Sequence, residues 1–252
     1  MTQPLSQLAP AQLSAIRMLA SDIDGTMTVD GRIPLSVLQA WQDAETAGLR
    51  VLLVTGRSSG EALGLARYLP HATWAVAENG ARLLIPDQPL ELLVPPRPTE
   101  HLREVARQMA GDKPLRLTAD AFAREGDLAF ERDGRTDAEV AELQRLAQMQ
   151  GVHLIWSSVH IHLSAHLPDK GAAVLKIAER WQVQPHEIAT IGDSHNDEGL
   201  WQPQRFGVTV GTADVTRLEL KHAPMWRTER PGGEGWCEFM RAWTRARGAE
   251  AR

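Results

Sequence analysis

The chain alternates short, almost wholly apolar runs with longer amphipathic ones. "IRMLAS" (16–21), "LRVLLVT" (49–55), "TWAVAENGA" (73–81), "EIATIGD" (187–193) and "FGVTVG" (206–211) are brief and mostly unbroken by polar residues. Such runs read as strands buried on both faces. Between them lie helical patterns. Pro34 opens one and Gly48 closes it, with Leu35, Leu38 and Trp41 as its apolar stripe. "SSGEALGLARYLP" (58–70), "DKGAAVLKIAERWQVQ" (169–184) and "GEGWCEFMRAWTRAR" (233–247) are further helices. Strand, helix, strand, helix predicts an α/β fold: a Rossmann-like parallel sheet with helices on both faces.

The rhythm changes between Arg82 and Ala165. "RLLIPDQPLELLV" (82–94) reads as a hairpin, and "GDLAFE" (126–131) and "VHLIWSSVHIHLS" (152–164) as further strands. Two helices lie among them, over 99–112 and 136–151. The second has an N-cap in Thr136 or Asp137 and a stop at Gly151. This is an α+β pattern. The expected organisation is a core of residues 1–81 and 166–252, interrupted by an α+β domain at 82–165. Thr2 to Pro10 are polar and proline-containing, so disorder is expected there.

Composition narrows the function. The chain has 252 residues, 43% hydrophobic and 23% charged, ordinary for a globular protein with a real core. Net charge is −5 and no basic block occurs, which argues against nucleic acid or an anionic membrane as partner. A single cysteine, Cys237, excludes an internal disulfide and zinc-finger spacing. No apolar run reaches membrane-spanning length, and the N-terminus lacks a basic, apolar leader. The expected location is the cytoplasm.

Against this background "DIDGT", Asp22 to Thr26, is chemically expensive. Alternate residues of a strand share a face, about 7 Å apart. At an effective dielectric near 20, two charges there repel by roughly 2.4 kcal/mol. A bound cation would offset this. Ligands of open α/β sheets bind at the carboxyl ends of the strands. Asp22 and Asp24, Thr55-Gly56, Glu78-Asn79-Gly80 and Asp193-Ser194 all stand at such ends. Carboxylates without His or Cys ligand spacing suit a hard ion such as Mg²⁺. A carboxylate can be a phosphoryl nucleophile, and a second one can carry protons. Lys170, opening a helix, can place an ammonium near an anion. Thr55 can donate a hydroxyl hydrogen, and Gly56 lets its backbone N–H approach closely.

These segments, in this order, resemble the haloacid dehalogenase superfamily of phosphatases. Asp22-Ile23-Asp24-Gly25-Thr26 is similar to its first motif, Thr55 of Thr55-Gly56-Arg57 to the second, and Lys170 to the third. Gly192-Asp193-Ser194-His195-Asn196-Asp197 is similar to the fourth. Ser21, before the first motif, departs from the usual aromatic or aliphatic residue. An insert between the second and third motifs resembles the larger, α/β type of cap. That subgroup includes Cof-like sugar phosphatases, sucrose-phosphatase-like enzymes and archaeal-type phosphoglycolate phosphatases, and the short insert is nearer the last in size.

The resemblance implies an Mg²⁺-dependent phosphatase that works through an aspartyl-phosphate on a small phosphorylated metabolite. Asp22 would be nucleophile and metal ligand. Asp24 would be the acid/base and would also bind the metal through its carbonyl. Asp193 would be the second acidic ligand, with Asp197 orienting it or binding through water. Ile23, Thr55, Gly56, Lys170 and Asn196 would hold phosphate and substrate. A phosphomutase or phosphotransferase on the same fold is the alternative enzyme. A phospho-receiver domain is the non-enzymatic one, although a receiver needs neither Asp24 nor an insert. Asn196 has a plainer reading as a helix cap. His160 and His162 share one face of a strand and lack the further ligands of a zinc site. They read as strand-surface histidines or, in a cap, as the first candidates to touch a leaving group.

Overall fold

The computed structural model describes residues 2–69, 73–95 and 99–250. Pro70, where one helix was expected to stop, lies outside them. In chain order the elements are β1 (Gln3–Pro4), α1 (Pro10–Ser14), β2 (Met18–Ser21), α2 (Leu35–Thr46), β3 (Arg50–Val54), α3 (Ser59–Tyr68), β4 (Ala75–Ala77), β5 (Arg82–Leu84) and β6 (Glu91–Leu92). Then follow α4 (Glu100–Met109), β7 (Asp127–Glu131), α5 (Asp137–Met149), β8 (His153–Trp156), β9 (His160–Ser164), α6 (Lys170–Trp181), β10 (Ile188–Gly192), β11 (Val208–Gly211), β12 (Trp226–Arg227) and α7 (Gly232–Glu250).

Nine strands form one sheet in the order β1-β12-β11-β10-β2-β3-β4-β5-β6. Pairing is parallel from β1 to β4 and antiparallel at β4–β5 and β5–β6. Both faces are covered, which is why the strands are continuously apolar. Leu19, Val51, Leu53 and Ile191 pack against Trp41 of α2 and Trp236, Phe239 and Trp243 of α7. Met18, Ala20, Leu52 and Val54 turn the other way, onto Val174 and Ile177 of α6 and onto Trp201. Full burial of such side chains contributes about 1.5–3 kcal/mol each. The expected Rossmann-like core with helices on both faces is what forms.

A second, three-stranded antiparallel sheet, β7-β9-β8, has its own core. Leu128, Phe130, Ile161 and Leu163 pack on Leu102 and Val105 of α4 and Val140 and Leu143 of α5. Thr136 and Glu139 close a capping box on α5. Strand alternation therefore sends Asp127, Ala129, Glu131, His160, His162 and Ser164 to the opposite face, toward the large sheet.

Three expectations change. The hairpin at 82–94 joins the edge of the large sheet, not the smaller one. Leu83 and Leu84 are buried on its two opposite faces, and apolar alternation alone cannot say which sheet a hairpin extends. The N-terminal segment is ordered: Gln3 and Pro4 pair with β12, and Leu5, Leu8 and Leu13 enter the core. In α2, Leu35 is 83% exposed. The buried stripe is Val37, Trp41 and Ala44, at i, i+4 and i+7.

Candidate active site

Asp22 follows directly on the central strand β2, and its N–H still pairs with Ile191 O at 3.0 Å. The neighbouring strands β3 and β10 end beside it and deliver Thr55-Gly56 and Asp193. Ser21 earns its place behind the site: its hydroxyl donates to the Asp22 carbonyl at 2.7 Å and accepts the Trp236 indole N–H at 2.9 Å. After Asp22 the chain leaves the strand and turns. Gly25 has φ +76°, and a Cβ there would lie 2.3 Å from Asp193 Oδ2, so only glycine fits.

Carboxylate oxygens of Asp22, Asp193 and Asp197 gather within 4.8 Å of one another. Thr26 Oγ1 donates between two of them, 3.1 Å from Asp193 Oδ1 and 3.4 Å from Asp22 Oδ2. Lys170, the first residue of α6 behind an Asp169 N-cap, sends Nζ to Asp22 Oδ1 and Asp197 Oδ1, both at 2.6 Å. Asp197 Oδ2 accepts the N–H groups of Asp193 and Ser194 at 2.9 and 3.1 Å.

All four charged side chains are buried. Burial pushes the Asp22 carboxyl up to about 7, opposed by the Lys170 ammonium and assisted by the Asp197 and Asp24 charges. Burial, then the charges of Asp22 and Asp197, pushes Asp193 well above the usual carboxylate range. Burial works against the Lys170 charge, but Asp197 and Asp22 together outweigh it and hold Lys170 above an ordinary lysine. With all three carboxylates ionised, less one ammonium, the site would carry two uncompensated negative charges among oxygen donors, and burial resists that state. A divalent cation fits that deficit.

Lys170→Met should therefore be costly in two ways. It strips the cluster of its only buried cation among the described residues, which costs about 3–5 kcal/mol. If the cluster transfers a phosphoryl group, as the resemblance implies, the substitution also removes a donor to the transferred charge, worth about 10²–10³ in kcat. Chemical denaturation and steady-state kinetics measure the two separately.

Other predicted residues sit as follows. The Asp24 carboxylate does not join the cluster. The strand ends at Ser21, so alternation no longer governs it, and Arg57 Nε and Nη2 hold both its oxygens at 2.6 Å. Arg57 also reaches Glu61 at 3.0 Å. Ile23 buries its side chain in the core, and its carbonyl accepts from Thr26 and Met27, so only its N–H is left for a ligand. Thr55 is fully buried at the end of β3. Asn196 is buried in a 3₁₀ turn, 195–201, whose cap is Ser194; its Nδ2 donates to Asn79 Oδ1 at 3.0 Å. Asn196 Oδ1 and Asn79 Nδ2 have no protein partner.

The three-stranded unit reaches the same rim. Ser158 Oγ is 3.5 Å from Asp193 Oδ2, and the Trp156 and His195 rings lie 4.7 Å apart. The two histidines of β9 are not solvent-facing. His162 is buried, with Nδ1 3.0 Å from Asp127 Oδ2. Burial, then the His162, Arg57 and Arg124 charges, pushes the His160 imidazole down to about 4, so it is neutral at pH 7.

Sequence reasoning gave no role to Arg57, Glu78 or Arg124. Arg57 and Glu78 stand within quoted motifs. Glu78 and Asn79 adopt φ +51° and +55°, conformations that cost about 1–3 kcal/mol each unless surroundings hold them. Glu78 shows what holds them: Oε1 accepts from Ser59 Oγ at 2.6 Å, and Oε2 from the Glu125 and Gly126 N–H groups at 3.2 and 2.5 Å.

The profile of sucrose-6F-phosphate phosphohydrolase matches residues 15–231. The chain belongs to this family of haloacid dehalogenase-type phosphatases. Phosphoglycolate phosphatase of Metallosphaera sedula is 31% identical over 231 residues, 89% of this chain and 97% of the relative. Phosphoglycolate phosphatase of Methanothermobacter thermautotrophicus is 28% identical over 227 residues, 90% and 98% of the two chains. Among solved structures, a Thermoplasma acidophilum protein superposes with TM-score 0.74 at 22% identity, covering 90% of this chain and 98% of its own. Sucrose-phosphatase from Synechocystis, in complex with sucrose and phosphate, gives TM-score 0.65 at 19% identity, covering 90% and 97%. The two structures share the fold.

As a member of this family the protein is a phosphomonoester hydrolase acting on a small phosphorylated substrate. Phosphatases of this class use a divalent metal, and the Asp22, Asp193 and Asp197 cluster can hold one. No helix among the described residues is long and apolar enough to cross a membrane.

Proposed function

We propose that the enzyme is an Mg²⁺-dependent phosphatase of phosphoglycolate or a sugar phosphate of similar size, with Asp22 as nucleophile. The observation that carries the mechanism is the Lys170 ammonium bridging Asp22 and Asp197 at 2.6 Å beside Asp193. It orients Asp22 at the end of the central strand and opposes the burial that disfavours its charged form. An Asp22 oxygen attacks phosphorus, the ester P–O bond breaks, and Asp24 gives the leaving alkoxide a proton. Water then attacks phosphorus, Asp24 takes its proton, the P–O bond to Asp22 breaks, and phosphate leaves with Asp22 again a carboxylate. One Asp24 oxygen must loosen from Arg57 for either transfer. Lys170, the Thr55 hydroxyl, the Gly56 N–H and Asn196 hold the phosphoryl oxygens.

The metal would be held by Asp22, Asp193 and the Asp24 carbonyl, and supplies charge neutralisation of the phosphoryl group. Asp197 already accepts from Lys170, Asp193 and Ser194. We assign it to orienting these groups, with any metal contact through water. The three-stranded unit, 99–165, acts as the cap over the site. Buried, unpaired Cys237 suits a reducing compartment, the cytoplasm.

The relatives matched over nearly their whole length are named for phosphoglycolate, which sets the expected order of substrates. Purified enzyme with Mg²⁺ should be assayed on phosphoglycolate, sugar phosphates and nucleotides. Phosphoglycolate is expected to give a kcat/KM at least about tenfold above the others, some 1.4 kcal/mol of discrimination. A sugar phosphate at the head of the series would contradict the phosphoglycolate assignment. No turnover of any compound would contradict the reading as a whole.

A further inference from the structure

The turn that follows β3 is gripped from the three-stranded unit. Arg124 Nη1 donates to the Gly56 carbonyl at 3.1 Å. His162 lies against the same glycine, where an added Cβ would be 3.1 Å from its Nε2 and 3.2 Å from its Cε1. Asp120 Oδ2 accepts the Ser58 N–H at 3.3 Å.

The gripping side chains are themselves fixed. The Arg124 side chain is 1% exposed and donates to Asp127 Oδ1 at 2.9 Å and to Asp120 Oδ2 at 2.8 Å. Asp127 Oδ2 meets His162 Nδ1 at 3.0 Å. Asp127 and His162 are diagonal neighbours on adjacent strands, Asp127 opposite Ser164 and Ala129 opposite His162. The contact is therefore built into the sheet register. Burial opposes the Asp127 charge, but Arg124 and His162 hold its carboxyl below the usual range. As an ionised acceptor it orients the ring and leaves the Nε2 edge against Gly56.

The other side of the same peptide is tied from within the large sheet. The Arg57 N–H donates to Thr55 Oγ1 at 3.0 Å. The peptide joining Gly56 and Arg57 is thus fixed at its carbonyl by Arg124 and at its N–H by Thr55. Because Thr55 Oγ1 accepts that bond, its hydroxyl hydrogen is left for an oxyanion. Donors held in place before the ligand arrives cost nothing to reorganise.

We propose that Arg124 and His162 are positioning residues that set the Thr55–Gly56 turn for the phosphoryl group, so that docking of the three-stranded unit and phosphate binding are energetically coupled. The proposal rests on the reading that this turn holds the phosphate. It assigns these side chains to the part common to every substrate, not to recognition of the leaving group.

The test uses the full-length enzyme with Mg²⁺ and inorganic phosphate as the probe, titrated calorimetrically. Arg124→Lys keeps the charge but loses the forked geometry, and His162→Gln keeps a polar group of smaller reach. The second variant serves if the first does not fold. Phosphate affinity is expected to weaken about 10- to 100-fold, the range set by small misplacements of catalytic groups. KM should rise in parallel on p-nitrophenyl phosphate and on phosphoglycolate, with a smaller change in kcat. Phosphate affinity within about twofold of wild type, in a variant whose melting point has fallen, would make the cluster purely structural and overturn the proposal. A loss confined to phosphoglycolate would assign the residues to the leaving group and overturn it equally. Wild-type enzyme that binds no phosphate would instead overturn the reading that the Thr55–Gly56 turn holds it.

Discussion

Asp22→Asn is expected to lower kcat by at least about 10⁴-fold, the scale on which removing a nucleophile acts, while the protein stays folded. The amide matches the carboxylate in shape but cannot attack phosphorus. Stability should hold because Asp22 is held in the site against a cost. Burial pushes its carboxyl up to about 7, so the folded protein disfavours its charge at neutral pH. Lys170 keeps Asp197 as its partner at 2.6 Å after the substitution. The melting temperature in chelator is therefore expected to be no lower than that of wild type. Turnover within tenfold of wild type would remove Asp22 from the nucleophile role. A collapsed melting point would show that the carboxylate serves the fold.

Removal of divalent metal is expected to abolish turnover, and Mg²⁺ should restore it with a pH-dependent affinity. The sign follows from the carboxylates. Asp22 titrates near 7 without the cation, and Asp193 is raised as well. Metal binds the deprotonated forms, so a proton must leave when the ion enters below that range. Apparent Mg²⁺ affinity should thus fall as pH drops from about 8 to 6, by about tenfold per unit for each proton displaced. The part contributed by Asp22 should level off about a unit above its value of about 7, and the part contributed by Asp193 continues until that carboxyl too is ionised. The same linkage makes the rise in melting temperature on adding Mg²⁺ larger at high pH than at low. Calorimetric titration at several pH values reads this directly. A pH-independent affinity would mean that the ion does not use these carboxylates, and full turnover in a verified metal-free sample would dismiss the metal altogether.

The clustered carboxylates were legible because their spacing is tied to backbone geometry. Continuous apolar runs identify parallel strands, and their ends lie on one rim, so Asp22, Thr55 and Asp193 could be gathered from sequence alone. Lys170 was legible as the first residue of a helix. The Asp24 side chain was not. The alternation argument assumed that the strand continued, and it ends at Ser21, which frees Asp24 to turn to Arg57.

Contacts between the two sheets left less trace. His160 and His162 showed the period of two that puts them on one face, but nothing in the spacing said which face looked inward. Packing decides it: Ile161 and Leu163 take the helix side, so the histidines meet the large sheet. Arg124 and Glu78 act on residues 68 and 47 positions away, and no local pattern records such a pairing. The ordered N-terminus escaped for a similar reason, since β1 is fixed by β12 near the other end of the chain. The edge hairpin at 82–94 pairs with its near neighbour β4, but apolar alternation does not say which sheet a hairpin extends.

In the proposed mechanism the phosphoryl group passes through Asp22. The most direct test is a single turnover with radiolabelled substrate in the presence of Mg²⁺, quenched in acid within the first turnover and mapped by peptide mass spectrometry. A transient acid-stable label is expected on the peptide carrying Asp22. The label should be absent in Asp22→Asn and prolonged in Asp24→Asn, where the water-activating base is lost. Label that never appears on protein while phosphate is released at the wild-type rate, or label on another residue, would contradict that mechanism.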